Sequence, residues 1–299
     1  MLTQRSAMPA TRSRVIVAEP AARAPVRVGV SGWRYPPWRG HFYPPGLRQD
    51  DELAFAASRL PTLEINGSFY SLQTPASYAA WHDATPPGFV FSVKAPRYLT
   101  HVLKLRGIAQ ASANFFASGL FALRDKLGPL LWQLPPWFRF DPALIEDFLA
   151  ALPADTSAAQ AIARRRDARM RGRTRLAIDA VRPMRHALEV RHASFVDARF
   201  IDLLRRHRVA LVVADTGGRW PELFDATADF VYLRLHGATE LYKSRYSDIA
   251  LARWAGRLRA WRDGETPAGV QRAGGDERAQ PRDVFCYFDN TDKLHAPDN

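Results

Sequence analysis

Residues 187–214, with the sequence ALEVRHASFVDARFIDLLRRHRVALVVA, contain the pattern that decides the fold. Two short apolar runs, Ala187–Val190 and Ala210–Ala214, flank Asp197–His207, where apolar residues recur at helical spacing. Nearly continuous apolar runs indicate strands that are covered on both faces, which is typical of parallel sheets. Parallel strands need a crossover connection, and a helix of this length supplies one. The stretch therefore predicts a strand–helix–strand unit.

The same alternation extends over most of the chain. Six further apolar runs predict strands: Val26–Ser31, Thr62–Ile65, Phe89–Val93, Leu130–Leu134, Phe230–Leu235 and Val284–Phe288. Eight strands with helices after most of them favour an α/β fold, a TIM-type (β/α)8 barrel. An open doubly wound sheet is the alternative, but no G-x-G-x-x-G follows the first strand and no P-loop pattern occurs. Because about ten residues follow the eighth run, the closing helix is expected to be missing or truncated.

The chain is expected to fold as one barrel domain over residues 26–299, with two basic segments at its periphery. The predicted helices between the strands include Asp50–Leu60, Pro75–Ala84, Ser112–Lys126, Asp141–Leu152 and Asp248–Arg262. Gly128 and Pro129 are interpreted as the signal that stops the third of these helices. Residues 1–25 are expected to be a disordered basic extension. Residues at about 154–185 are expected to be a basic insertion, partly disordered or weakly helical.

Composition indicates a chain of 299 residues that can build a large core, since 47% of the residues are hydrophobic. The single cysteine, Cys286, excludes an intramolecular disulfide. No apolar run approaches the ~20 residues that span a bilayer, so no membrane association is predicted and the cytoplasm is the expected location. The net charge is +12, of which segments 1–25 and 154–185 carry +3 and +6. Overall basicity therefore says little about the barrel itself.

Polar residues recur at the carboxyl ends of the predicted strands, the end at which barrel enzymes carry their sites. The candidate catalytic residues are Glu64, Lys94, Glu189 and His236. The candidate substrate-binding residues are Trp33, Tyr35, Asn66, Tyr70, Gln133, Arg191, Asp215, Arg234 and Asn290. The aromatic members can form a stacking wall for a base or a sugar, or simply pack under loops. Two further histidines, His101 and His192, are expected to be surface or supporting groups.

The cations Lys94, Arg191 and Arg234 suggest an anionic ligand such as a phosphate or a carboxylate. In an enzyme these cations would hold the anion, Glu64 or Glu189 would be the general base, and His236 the general acid. Lys94 is also a candidate nucleophile for a Schiff base if its pKa is depressed. A salt bridge between Lys94 and Glu64 is the favoured structural alternative, and the whole ring can be a buried ionic network.

No cofactor and no metal ligand are predicted. Glu64, Glu189, Asp215 and His236 could supply a divalent metal site, but the three cations in the same ring would repel the ion. The chain contains no H-x-H, no H-E-x-x-H and no cysteine cluster. It also lacks the G-x-S-x-G elbow of Ser-His-Asp hydrolases. Metal dependence therefore stays a minor alternative.

Seven ordered motifs resemble the YecE-like family, also called domain-of-unknown-function family 72. The motifs are GVSGWRYPPWRGHFYP, EINGSFY, FVFSVKA, LGPLLWQLPP, ALEVRH, FVYLRLHG and YFDN. The resemblance covers about Val26 to Asn290 and implies a barrel similar to the metal-dependent endonuclease and sugar-isomerase barrels. It implies no particular activity. The sequence departs from the family pattern at Gly67, where a small hydroxyl residue is usual, at Asp289, where Asn is expected, and after Asn299, where a final helix is usual.

Three functional hypotheses follow. The first is an enzyme, a hydrolase or a lyase, acting on an anionic small molecule or a nucleic acid at the strand ends. The second is a non-catalytic nucleic-acid-binding or accessory protein that uses its basic tail and loop. The third is a metal-dependent phosphodiesterase. A homo-oligomer is possible in each case, because a missing last helix would expose apolar surface.

Overall fold

The computed structural model describes residues 24–237, 245–275, 278–290 and 294–299. Eight parallel strands pair in sequence order, and the last pairs with the first, so the sheet closes into a barrel. The strands are β1 Val26–Ser31, β2 Thr62–Ile65, β3 Val90–Lys94, β4 Leu127–Gln133, β5 His186–Glu189, β6 Ala210–Asp215, β7 Phe230–Leu235 and β8 Asp283–Phe288. This confirms the TIM-type barrel.

Helices lie outside the strands and follow six of them; in the described ranges no α-helix lies between β6 and β7 or after β8. They are α1 Glu52–Arg59, α2 Gly67–Tyr70, α3 Pro75–Asp83, α4 Ala109–Ala117, α5 Pro142–Ala150, α6 Thr156–Ala163, α7 Ala198–His207 and α8 Asp248–Arg262. Side-chain caps begin several of them where expected: Asp141 accepts from Leu144 N at 3.2 Å at the start of α5. In the described part of the chain, no helix is long and apolar enough to cross a membrane.

One predicted helix, Ser112–Lys126, is wrong in its extent. Helix α4 ends at Ala117, and Gly119 follows with a φ of +121°, a conformation that breaks the helix. A 3-10 segment, Leu120–Lys126, continues from there, and β4 begins directly at Leu127. Gly128 and Pro129, interpreted as a stop signal, therefore lie inside β4, next to an irregularity in the register with β3.

The basic segment 154–185 lies against the barrel. It contains α6, which Asp155 caps by accepting from Ala158 N at 2.8 Å. The segment is fastened to α4 by Asn114, whose amide donates to Asp167 Oδ2 at 3.1 Å and accepts from Asp167 N at 3.0 Å. The predicted extension, residues 1–25, lies outside the described residues except for Ala24 and Pro25. After β8, the described residues 294–299 contain a 3-10 turn, Ala296–Asp298.

Every second side chain of a strand points into the barrel, because successive side chains point to opposite faces. These inward-pointing side chains fill the interior in layers. One apolar cluster fills the interior, and a larger one lies between strands and helices. The interior cluster takes its members from alternate strand positions: Leu131, Ala187, Ala210, Val212, Ala214, Phe230, Tyr232, Phe285 and Tyr287. Tyr287 and its hydroxyl partners, Thr62 at 2.8 Å and Ser92 at 2.6 Å, complete this layer. The residues two positions further along each strand form the next layer.

Candidate active site

The layer at the carboxyl ends of the strands is charged. Its members lie two residues beyond interior side chains and therefore face the barrel axis as well. The layer contains Ser31, Glu64, Lys94, Gln133, Glu189, Arg234 and Asp289, and all seven are buried. Seven of the eight strand ends thus bring together residues that are as much as 258 positions apart in the chain.

Arg234 is the centre of this layer and is 1% exposed. Its guanidinium donates to three carboxylates: Glu64 Oε1 at 3.0 Å, Glu189 Oε2 at 2.8 Å and Asp289 Oδ2 at 2.6 Å. These carboxylates raise the pKa of Arg234 well above its usual value, against the opposing effect of burial. Since all its strong contacts are internal, Arg234 organises the cluster rather than offering a free cation to a ligand.

Glu64 is fully buried, and both oxygens of its carboxylate accept hydrogen bonds. Its carboxylate accepts from Ser31 Oγ at 2.7 Å, from Tyr232 Oη at 2.7 Å and twice from Arg234. The salt bridge between Lys94 and Glu64 that the sequence favoured is not formed within 4.0 Å among the described residues. The physical reason is that Arg234, with its planar fork of donors, occupies both oxygens of the carboxylate.

Glu189 is held between two arginines. Its Oε1 accepts from Arg191 Nε at 2.7 Å, while Oε2 accepts from Arg234. Burial alone would raise the pKa of Glu189, but Arg191 and Arg234 outweigh it and lower the pKa well below the usual range. The other face of the Arg191 guanidinium lies 4.0 Å from the ring centroid of Trp220. Glu189 is therefore a permanent anion with both oxygens engaged.

His236 follows β7 and is completely buried. Its Nδ1 lies 3.2 Å from Asp289 Oδ2, and its Nε2 lies 3.4 Å from Arg234 Nη1. Burial, followed by the charge of Arg234, lowers the pKa of His236, although Asp289 opposes this. Burial and the charge of Arg234 therefore disfavour the protonated imidazole. This placement gives no support to the general-acid role considered for His236.

Lys94 differs from the other charged members of the layer. Its ammonium lies 4.3 Å from the ring centroid of Phe69, and no carboxylate of the described residues lies within 4.0 Å of it. Burial, and then the charge of Arg234, lower the pKa of Lys94 to about 8. The contact between a cation and an aromatic face offsets only part of the hydration free energy that the cation loses on burial. Lys94 is therefore the charged member of the layer that has no ion pair within 4.0 Å among the described residues.

His101, expected to be a surface or supporting group, contacts the same Phe69 ring as Lys94. Its ring packs against Phe69 at 5.2 Å, and its Nδ1 lies 2.8 Å from Thr100 Oγ1. Burial, followed by the charges of Lys94, Arg97 and Arg191, lowers the pKa of His101 to about 4. The sequence contained one signal for this position, the short distance from the end of β3, but the π-helical turn Tyr98–Val102 that folds the histidine back could not be predicted.

Several other predicted residues lie around the cluster rather than in it. Asn66 donates to Ser31 Oγ, and Tyr35 donates to the Ser31 carbonyl at 2.8 Å. Trp33 packs in the core against Trp81 at 5.3 Å. Asn290 is buried after β8, whereas Gln133, which belongs to the layer itself, pairs with Glu189 in the strand register.

The side chains of Asp215 and Tyr70 do not face the charged layer. The Asp215 carboxylate accepts from Tyr246 Oη at 3.0 Å and Trp254 Nε1 at 3.3 Å, on the helix side of β6. Tyr70 is 74% exposed at the rim. Because strand residues alternate, Asp215 faces away from the axis while its neighbour Ala214 faces inward. Asp215 therefore does not contribute to the charged layer.

The metal ligands considered from the sequence are likewise separated. Asp215 faces outward, and Glu64 and Glu189 are paired with Arg234. Across the described ranges, no group of three or more histidine, cysteine, aspartate or glutamate side chains is arranged to hold a metal ion.

Fold and site together define a TIM-type barrel whose carboxyl-end layer is charged and largely self-paired. The chain belongs to the DUF72 family, because the model of that family, described as a protein of unknown function, matches residues 27–299. This confirms the resemblance that the seven motifs indicated. The departure at position 289 matters structurally, since Asp289 binds both Arg234 and His236.

Relatives in other organisms show the same fold. A DUF72 family protein from Thermotoga maritima superposes with a TM-score of 0.65 at 23% identity, covering 91% of this chain and 95% of that one. One from Enterococcus faecalis gives 0.63 at 16% identity, covering 91% and 92%. The UPF0759 protein YunF of Bacillus subtilis is 28% identical over 118 residues, 38% of this chain. That match covers 41% of YunF, so the chain spans about two fifths of this curated relative.

Proposed function

We propose that the protein is an enzyme that binds an anionic substrate, carrying a phosphate or a carboxylate, at the carboxyl end of the barrel. Lys94 is the reacting group, and a lyase acting through a Schiff base is the favoured reaction class. The observation that carries the proposal is the buried Lys94 ammonium, which has no carboxylate partner within 4.0 Å in the described structure and a pKa lowered to about 8.

The charged layer supports this role by holding Lys94 in a fixed electrostatic environment. Arg234 is engaged by three carboxylates, and Arg191 by Glu189 and Trp220. Both arginines are held in place by these contacts, so the surroundings of Lys94 are preorganised. The charges of Lys94, Arg97 and Arg191 each lower the pKa of His101, so their positive potential is combined at this residue, which follows β3. An anion would be attracted there.

The chemistry follows from the two lowered pKa values. A lysine with a pKa near 8 has roughly a tenth of its amine neutral at pH 7, several hundredfold more than an ordinary lysine. The neutral amine can attack a substrate carbonyl carbon, forming a C–N bond while the carbonyl oxygen takes up a proton. Loss of that oxygen as water leaves the imine. His101, neutral at pH 7, would carry the proton between these steps.

The proposal is tested by reductive trapping with glyoxylate, a small anionic aldehyde, and borohydride. The chain has five lysines, Lys94, Lys104, Lys126, Lys243 and Lys293, so digestion and mass spectrometry locate the adduct unambiguously. We expect preferential labelling of Lys94 at pH 7.5, its loss in Lys94→Met, and no change in that labelling in Lys104→Met, the matched surface control. Labelling spread equally over the surface lysines, with Lys94 unmodified, would overturn the proposal.

A further inference from the structure

A second concave surface opens beside the mouth of the barrel. It is a cleft of about 470 Å³ between the segment after β2, the turn after β3, the start of α4 and the loop 168–173. Phe69, Tyr70 and Tyr98 contribute its aromatic walls, and Arg97, Arg169 and Arg173 its cations. Phe69 is shared with the active site, because its ring contacts Lys94 and His101 as well as Tyr70. The cleft and the surroundings of Lys94 therefore share the Phe69 side chain.

The aromatic residues of this rim are unusually exposed. Tyr70 is 74% exposed, Tyr98 is 48% exposed, and Trp137, which follows β4, is 54% exposed. Lys104 lies 5.0 Å from the ring centroid of Trp137. These three aromatic residues follow three consecutive strands, so they succeed one another around the rim. Large apolar rings exposed to water gain free energy when a partner covers them, and flat aromatic partners stack on them well.

The wall opposite the aromatic residues is strongly basic. Residues 164–175 contain seven arginines against a single acidic residue, Asp167, a net charge of +6. Asp167 pairs with Arg169 at 2.6 Å and with Asn114, which fixes the segment to α4. In the described part of the chain, Arg97 and Arg173 have no carboxylate within 4.0 Å. Arginines without a carboxylate partner beside exposed aromatic rings match a polymer with alternating phosphates and bases.

We propose that this cleft and rim bind single-stranded nucleic acid, with bases stacked on Tyr70, Tyr98 and Trp137 and phosphates on Arg97 and Arg173. The inference deepens the proposed function, on which it rests, by naming the class of anion that reaches Lys94. Three successive stacking platforms favour an oligonucleotide over a mononucleotide, which would need one. The concave shape favours a strand over an anionic membrane surface, which would require the aromatic residues to protrude from a flat or convex face.

Fluorescence anisotropy with labelled 12-nucleotide oligodeoxythymidine and oligouridine, over a range of salt concentrations, tests the proposal. We expect Tyr98→Ala to weaken binding roughly tenfold through loss of one base stack. The double variant Arg97→Gln/Arg173→Gln should reduce the slope of log affinity against log salt by about 1.4, since each phosphate contact on a single strand contributes about 0.7. Comparing the two oligonucleotides tells a DNA strand from an RNA strand.

Matched controls keep the test specific. Arg253→Gln removes an exposed arginine of α8, and Val181→Ala removes an exposed apolar side chain from another surface. Both should bind like the unaltered protein. Equal losses in the control and cleft variants, no binding of either oligonucleotide, or binding only to phosphatidylserine vesicles would overturn the proposal. Trapping of glyoxylate on Lys94 is measured separately, so a failure of nucleic-acid binding is distinguished from a failure of the proposed function.

Discussion

Arg234 and Glu64 are joined by two nearly equal contacts, Nη2 to Oε1 at 3.0 Å and Nε to Oε2 at 3.1 Å, inside a layer that solvent does not reach. The parallel geometry uses both oxygens of the carboxylate and one edge of the guanidinium. It leaves the remaining edge of Arg234 for Glu189 and Asp289. This pairing is why Lys94, one strand away from Glu64, has no carboxylate partner of its own in the described structure.

Removing one charge from this pair should cost stability. In Glu64→Gln the buried Arg234 loses one of its three carboxylates, and we expect the free energy of unfolding to fall by about 3 kcal/mol, the usual size for a broken buried pair. Urea denaturation at pH 7 measures it. The surface pair Arg206–Glu146, with side chains 63% and 36% exposed, is the control. Arg206→Gln should cost less than about 1 kcal/mol. Equal costs for both variants would contradict the central role of Arg234.

The buried charge of Lys94 should lower the free energy of unfolding of the protein. Its folded-state pKa of about 8 lies below the ordinary 10.5, so the charged form is disfavoured by folding. This penalty is fully present below pH 8 and disappears as the pH rises toward 10.5. Lys94→Met, which keeps the volume without the charge, should raise the free energy of unfolding at pH 7 by up to about 3 kcal/mol. The gain should shrink between about pH 8 and pH 9.5 in urea titrations, whereas a lower stability of the variant at pH 7 would indicate a structural lysine.

Glu189 should contribute to the loss of stability in acid. Arg191 and Arg234 lower its folded-state pKa below the ordinary 4.5. Its contribution is present above pH 4.5 and is lost as the pH falls below that value, because the unfolded chain takes up a proton first. Chemical denaturation from pH 6 to pH 3 should therefore show a smaller acid-induced loss in Glu189→Gln than in the unaltered protein. The exposed carboxylate variant Glu265→Gln should follow the unaltered curve; if both variants do so, Glu189 is not held ionised.

Gly29 should be irreplaceable for a steric reason. A Cβ at this position would lie 2.0 Å from the Thr62 carbonyl oxygen, because β1 and β2 approach closely there. Gly29→Ala should cost about 3 kcal/mol or more, since backbone must shift to relieve the overlap. At Gly256 in α8 an added methyl group would meet no atom within 4 Å, so Gly256→Ala should stabilise the helix by up to about 1 kcal/mol. In thermal denaturation we expect the melting temperature to fall in Gly29→Ala and to rise in Gly256→Ala.

Most of the barrel could be predicted from local patterns, while boundaries near β4 could not. The limits of β1, β2, β7 and α8 agree with the apolar runs and the helical spacing in the sequence. The segment between α4 and β4 was misjudged because Gly128 and Pro129 ordinarily terminate helices, whereas here they lie in a strand beside an irregular register with β3. A Gly-Pro pair can end a helix or lie in an irregular strand, and the contacts with the neighbouring strand decide which of the two forms.

The candidate site divides in the same way. Sequence position placed Glu64, Glu189 and Arg234 at strand ends, and the period of two placed them on one face. The positions in the sequence do not determine which carboxylate pairs with which cation, since several pairings would neutralise the same charges. They also left His101 outside the site, because the π-helical turn after β3 depends on packing under Phe69.

The amino-acid sequence by itself determined the eight-stranded barrel, the family and the end of the barrel at which the charges gather, because these follow from the hydrophobic periodicity and ordered motifs of a continuous chain. The tertiary structure alone decided that Arg234 takes Glu64, Glu189 and Asp289, leaving Lys94 over Phe69. The physical reason is that the pairing of buried charges depends on small differences in distance between strands far apart in sequence, and closure of the barrel sets those distances.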